Sequence, residues 1–500
     1  MRGDDSLPGR PISPWIEVVR RRDRPELGAE RRADAVVVGA GMVGLTTAAL
    51  LHREGLDVVV LEAGRIGQGV TGRTTAKLSS LHGLTYAGLE RQHGIDTARA
   101  YAAANQAGLG IVAELVERHG IECDFRRKPN LTFTEEADEL EDVHEEVEAA
   151  QRAGLAAEFT ETADLPFPIR GAVRVPDQAE FHPVRYLLGL ANELDSDGSR
   201  VFERSRVCEV KGGVVTTESG HRVSAGRVIL ATHLPILDRG GQFALVEPER
   251  SHALGVRLDG PYPQGMYLSA GKPAISLRSH PLDGEELFIV GGRSARMGTG
   301  DPAEDFLALA RYARERLSVK AIDYRWSAHD YMPADDLPLV GPLWPFGGGV
   351  LFATGMRKWG LAMGAAAARI LADAALERDN PWSETFDPRR LPTPAAVADL
   401  AKNGVITAAH LVGDRLRRDG SGEQLERGDG AVVDSGLGKT ALYRDDAGRL
   451  HQLSARCTHL GCIVAWNRSE RTWDCPCHGS RYAATGEVID GPAIAPLEHE

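Results

Sequence analysis

The sharpest chemistry in the chain sits near its C-terminus. Cys457-Thr458-His459 and Cys475-Pro476-Cys477-His478 give Cys-x-His, a gap of fifteen residues, then Cys-x-x-His. Two thiolates and two imidazoles suit two different centres. A tetrahedral Zn²⁺ accepts such a Cys₂His₂ set. A [2Fe–2S] cluster accepts it when Cys457 and Cys475 hold one iron and neutral His459 and His478 hold the other, which raises the reduction potential. Four of the six cysteines, Cys457, Cys462, Cys475 and Cys477, crowd into this stretch. In a cytosolic chain such clustering points to metal or redox chemistry before structural disulfides. Cys123 and Cys208 stand alone and read as small buried hydrophobes.

A second constellation lies near the other end. The apolar run Ala33–Val38 leads into Gly39-Ala40-Gly41-Met42-Val43-Gly44 and a helical stretch to about Gly55. A second apolar run ends in Glu62, eighteen positions past Gly44. Strand, glycine turn, helix and an acid closing the next strand form a dinucleotide-binding unit. Gly39 permits the tight turn, Gly41 lets the backbone approach a pyrophosphate, and Gly44 lets the helix pack on the strand. The helix N-terminus offers N–H groups to phosphate, and Glu62 would accept from the adenosine ribose hydroxyls. This pattern by itself does not separate FAD from NAD.

The elements that must carry these groups divide the chain into several units. Five hundred residues exceed one core, so two or three lobes are expected. Residues 1–32 read as a lead-in. Residues 33–376 read as the dinucleotide-dependent domain, with a substrate lobe inserted at about 160–325. The stretch from Tyr86 to Ala156 reads as helical, with a Glu-rich solvated face. Residues 377–419 read as a linker with a helix from about Ala395 to Arg418, and 420–500 as a small β domain. A net charge of -13 disfavours a nucleic-acid or anionic-lipid binder. The Gly360–Leu376 stretch is broken by Arg369 and Asp373, so no membrane span is expected. The polar N-terminus carries no export signal, which predicts a cytoplasmic protein.

Several segments together resemble the D-amino-acid oxidase/glycine oxidase superfamily of FAD-dependent oxidoreductases. They are VVVGAGMVGLTTAALLHREGLDVVVLEAGRIGQGVTGRT, VILATHLP, LFIVGGR, DYMPADDLPLVGPL and FATGMRKWGLAMGAAAARILAD. The resemblance implies FAD and oxidation of a C–N bond in an amine or amino acid. It implies an α/β Rossmann-like domain of the GR2 type with an interleaved α+β substrate domain. Thr74-Thr75-Ala76-Lys77 stand where relatives that tether FAD through histidine carry that residue, so non-covalent binding is expected. Thr74 and Thr75 would contact the cofactor. The helix starting near Gly360 would aim its positive end at the flavin N1/C2 edge, where charge gathers on reduction. Lys358 and Trp359 precede it and should lie near the ring. Arg278 is the candidate for pairing a substrate carboxylate, and Lys77 the candidate cation at the flavin. Hydride moves directly from substrate carbon to flavin in this superfamily, so no catalytic base is named.

The blocks CTHLGC and CPCHGSRY resemble the Rieske proteins of cytochrome bc complexes, a match spanning about Leu425 to Leu497. In that family Cys462 and Cys477 would form a disulfide bridging the cluster loops. Ser480 and Tyr482 match hydroxyls that hydrogen-bond the cluster sulfurs, and Gly491-Pro492-Ala493 matches the proline loop. A zinc finger has no use for the second cysteine pair, the hydroxyls or that loop. The expected cofactors are therefore FAD and one [2Fe–2S] cluster. Together they suggest that a two-electron oxidation is relayed as single electrons to a cytochrome, a ferredoxin-like carrier or a quinone. The alternatives are an O₂-using oxidase with a structural or regulatory Rieske domain, and a redox sensor or electron carrier without its own substrate.

Overall fold

The computed structural model describes residues 7–196, 200–237, 241–344, 349–416, 425–435 and 438–500. The first apolar run forms the strand Arg31–Val38, whose last four residues are buried. Burial on both faces is what a continuous Val-rich run requires in a parallel sheet. This strand pairs in parallel with Val58–Leu61 on one side and Arg222–Leu230 on the other. Arg200–Phe202 and Val350–Thr354 extend the parallel sheet at its two sides.

The helix Met42–Arg53 leaves the glycine turn and buries Leu45, Ala48 and Leu51. A Cβ at Gly44 would lie 1.9 Å from the Gly39 carbonyl oxygen, so any other residue would push helix and strand apart. The same economy of size operates between helices. A Cβ at Gly108, in the helix Ile95–Arg118, would lie 2.0 Å from the Ala362 oxygen. The alanine-rich helix Ala362–Ala375 therefore packs closely between its neighbours, burying nearly every residue.

The second sheet has nine strands. Val246–Leu258 lies between Glu285–Arg296 and Val319–Pro333, antiparallel to both. Ile275–Leu282 and Met266–Ser269 continue it. Arg126–Thr134, Gly171–Glu180, Lys77–Leu78 and Glu158–Thr160, which pairs Gly171–Glu180, complete it. The substrate lobe is thus not a single insertion at about 160–325. It takes two strands from earlier in the chain, while Arg200–Phe202 and Arg222–Leu230 return to the first sheet. The stretch read as helical from Tyr86 to Ala156 contains the strand Arg126–Thr134 between its helices. Local patterning marks a strand, but long-range pairing decides which sheet receives it.

The helix Pro394–Leu416 follows, and the domain boundary read near Gly420 lies outside the described residues. The C-terminal domain consists of two small antiparallel sheets, one of three strands and one of four. Leu453, Trp473, Tyr482 and Leu497 fill its core. Charged groups hold it to the larger domain. Arg250 donates to Asp474 at 2.6 Å, Ser327 to Glu470 at 2.7 Å, and Arg73 lies 3.5 Å from Asp490. Two glycines permit close approach. A Cβ at Gly298 would meet Pro476 at 2.8 Å, and one at Gly479 would meet Pro248 at 2.9 Å.

Candidate active site and metal centre

A cavity of about 440 Å³ opens at the C-terminal ends of the parallel strands, the usual ligand position in such sheets. Gly39, Gly41 and Glu62 line it, as do Thr74, Thr75, Lys77, Lys358, Trp359 and Gly360. Gly44 does not, because its part is the helix–strand contact already described. Glu62 accepts from the Ala40 and Gly64 N–H groups, both at 2.8 Å. Burial raises its pKa, against the pull of those two bonds.

The helix expected to begin near Gly360 begins at Ala362, with Leu361 at its N-cap and no side-chain cap. The Met363 N–H donates to the Trp359 carbonyl at 3.3 Å, and the helix dipole favours negative charge at this end. The turn before it holds Arg357 and Lys358 at φ 50° and 71°, a left-handed pair that needs outside support. Asp330 supplies it by accepting from the Lys358 N–H, while its other oxygen accepts from the Tyr331 N–H and His233. Burial opposes ionisation of Asp330, but the His233 contact and the two N–H donors prevail and lower its pKa. The Lys358 side chain reaches Glu249 at 2.7 Å.

Lys77 is buried at the cavity wall, where its ammonium donates to the Tyr267 carbonyl. Burial, and then the nearby Arg278, push its pKa well below the usual lysine value. Arg278 itself does not line the cavity. It is fully buried behind it, donating to the carbonyls of Thr75 and Ala76 and lying 3.3 Å from Glu180. An arginine so engaged holds the Thr74–Lys77 segment in place and presents no face to a substrate carboxylate. His82 has both ring nitrogens bonded, to Tyr101 at 2.7 Å and Ser79 at 2.6 Å. It stacks on Trp359 at 4.3 Å and so supports that ring.

The second centre is built from two loops of the C-terminal domain. Cys457 and Cys475 are buried free thiols close enough to hydrogen-bond to each other. That bond, with the Tyr482 and Ser480 hydroxyls, lowers the pKa of Cys457, and the same bond raises that of Cys475. The imidazole rings of His459 and His478 lie 5.0 Å apart, edge to face. The His478 Nδ1 is buried with no hydrogen-bond partner, as a nitrogen reserved for a metal would be. The Cys462, Cys475 and Cys477 sulfurs crowd within 4.8 Å. Cys462 and Cys477 are joined as a disulfide, so of these three only Cys475 can ligate. The Tyr482 hydroxyl lies 3.1 Å from the Cys457 sulfur. The Ser480 hydroxyl also hydrogen-bonds that thiol and accepts from the Ala493 N–H at 3.1 Å. The four ligands, the disulfide and the two hydroxyls fit a Rieske cluster.

A family profile described as FAD dependent oxidoreductase matches residues 34–374, and one described as Rieske [2Fe-2S] domain matches residues 418–499. The chain belongs to the FAD-dependent oxidoreductase family. Its cofactors are FAD and one [2Fe–2S] cluster. It is 33% identical over 480 residues to a Bacillus subtilis protein provisionally called Rieske 2Fe-2S iron-sulfur protein YhfW, covering 95% of this chain and 94% of that one. It is 33% identical over 226 residues to gamma-glutamylputrescine oxidoreductase of Escherichia coli, covering 43% and 51%. The structure of L-proline dehydrogenase from P. horikoshii superposes with a TM-score of 0.60 at 18% identity. That match covers 72% of the oxidoreductase and 98% of the dehydrogenase, and it establishes the shared fold.

Sequence reasoning did not single out the groups between the two centres. Asp330, His233, His329 and Arg73 line the cavity, and Tyr331 lies buried next to it. The Tyr331 hydroxyl donates to the His478 carbonyl at 3.0 Å. Phe243 packs edge-on against both His459 and His478. None of these follows a recognisable spacing: Arg73, Tyr331 and Phe243 meet partners in the other domain, and Asp330 meets His233 97 positions away. His252 also lines the cavity, and its Nε2 is buried without a partner. Among the described residues, no helix is long and apolar enough to cross a membrane.

Proposed function

We propose that the protein oxidises the C–N bond of a small amine and relays the electrons singly, through the Rieske cluster, to an external acceptor. FAD supplies two-electron chemistry and the cluster one-electron chemistry, so the two electrons of each substrate leave one at a time, to two molecules of a one-electron carrier or to one quinone. One observation carries the reading. Tyr331 reaches from the residue next to Asp330, in the cavity wall, to the backbone of the ligand His478. The two centres share a wall.

The cavity wall favours an amine over an α-amino acid. The arginines lining it are Arg73 and Arg206. Arg73 faces Asp490, and Arg206 donates to the Val488 carbonyl at 2.9 Å. Arg278 is turned away, and Lys77 is held toward its neutral form. None of these offers the free bidentate cation that a carboxylate prefers. The acceptor is a cytochrome, a ferredoxin-like carrier or a quinone, and the expected location is the cytoplasm.

An anaerobic titration tests the relay. Amines and amino acids are added while flavin absorbance and the cluster EPR signal are followed together. The relay expects the reduced-cluster signal to rise as the flavin bleaches. A bleached flavin beside a cluster that stays oxidised refutes it and leaves an O₂-using oxidase. A flavin that no small amine or amino acid bleaches leaves a sensor or carrier.

A further inference from the structure

The C-terminal segment Val488–Ala495 touches both centres. On one side, Ile489, Asp490, Gly491, Ala493 and Ile494 form part of the wall of the FAD cavity. Asp490 is held there by Arg73 at 3.5 Å and Arg481 at 3.6 Å. On the other side the segment is tied to the cluster loops. The Ala493 N–H donates to the Ser480 hydroxyl at 3.1 Å, and the Thr458 hydroxyl donates to the Ala495 carbonyl at 2.6 Å. Ser480 and Thr458 each sit within a cluster loop, Thr458 between the two ligands Cys457 and His459. A single short segment is therefore anchored by the iron–sulfur loops while it walls the dinucleotide site.

We propose that this Rieske-domain segment is an integral part of the FAD site and couples the two cofactors. With the cluster loops ordered, the segment is held against the cavity and FAD binds more tightly. Without its anchors the wall loosens and the affinity falls. The coupling does not depend on the relay, because it concerns occupancy and not electron flow. Coupling between sites typically amounts to about 5- to 150-fold in affinity. The contact here is direct, so at least the lower end of that range is expected.

The test uses the full chain. FAD is removed and its dissociation constant measured by fluorescence quenching in the wild type, in Ser480→Ala and in Thr458→Val. Both substitutions cut an anchor and leave all four ligands in place. Cluster content is checked by EPR in each. The expected result is FAD binding weakened at least about fivefold in a variant that still carries its cluster. Wild-type affinity in both cluster-loaded variants overturns the proposal. If a substitution empties the cluster site, the arm from the FAD side decides instead. Cluster bleaching by EDTA in the wild-type chain should be faster without FAD than with it, and equal rates overturn the coupling. Failure of the coupling is distinct from failure of the cofactor assignment, since FAD and cluster could each bind fully and independently.

Discussion

Arg250 is the residue on which the junction of the two domains most depends. Its side chain is 5% exposed and that of Asp474 2%, with 2.6 Å between them. Glu470 lies 3.8 Å from the same guanidinium. Burial alone would raise the pKa of Asp474, but Arg250 and Arg481 outweigh it and hold the carboxylate ionised. Replacing Arg250 with methionine keeps much of the volume and removes the charge. Breaking a buried pair from one side costs roughly 3–5 kcal/mol, because the remaining charge stays buried. Arg481 still contacts Asp474 at 3.2 Å, which places the expected loss near the lower figure, about 3 kcal/mol. Urea unfolding would be followed by cluster absorbance and flavin fluorescence in parallel. The wild type should lose both signals in one transition, whereas Arg250→Met should lose the cluster signal at lower urea. Adding Asp474→Asn should recover part of the loss, with a coupling of about 1–3 kcal/mol in a double-mutant cycle. A cycle that closes to within about 0.5 kcal/mol, or an unchanged midpoint in Arg250→Met, would refute the view that this pair holds the domains together.

Other expectations follow from the same contacts. Tyr331→Phe keeps the buried ring but removes the donor to the His478 carbonyl, at a cost of about 1–3 kcal/mol. In stopped-flow it should slow cluster reduction and leave flavin reduction unchanged, and equal slowing of both would count against a role at the junction. Gly44→Ala should give a chain that is poorly stable and purifies without flavin absorbance, since the new methyl group would overlap the Gly39 carbonyl. Acid should destabilise the fold through its buried histidines. Burial lowers His82, His182 and His329 to about 3. The unfolded chain protonates near 6.5, so stability falls between pH 6.5 and 3, by up to about 1.4 kcal/mol per pH unit for each. Urea midpoints at pH 7 and 5.5 check this, and a higher midpoint at pH 5.5 would contradict it.

Both cofactor sites were legible because each is written locally. The glycine turn needs its residues within six positions, and each cluster loop needs its ligands within four. Backbone geometry and metal chemistry leave few alternatives at such spacings. Arg278 shows the opposite case. Its type suited a carboxylate, but nothing local reveals whether a strand residue faces the cavity or the core behind it. The pairing of Ile275–Leu282 within the nine-stranded sheet places its guanidinium against the Thr75 and Ala76 carbonyls.

The sequence by itself determined the two cofactors, since the motifs that call for them rest on short-range spacing and apolar runs. The tertiary structure decided which strands entered which sheet. It also decided that the Rieske domain walls the FAD cavity and that Tyr331, Asp490 and Arg250 meet their partners across the junction. Those contacts join residues up to 417 positions apart. Such pairings depend on the docking of two finished surfaces, and docking leaves no periodic mark in the chain.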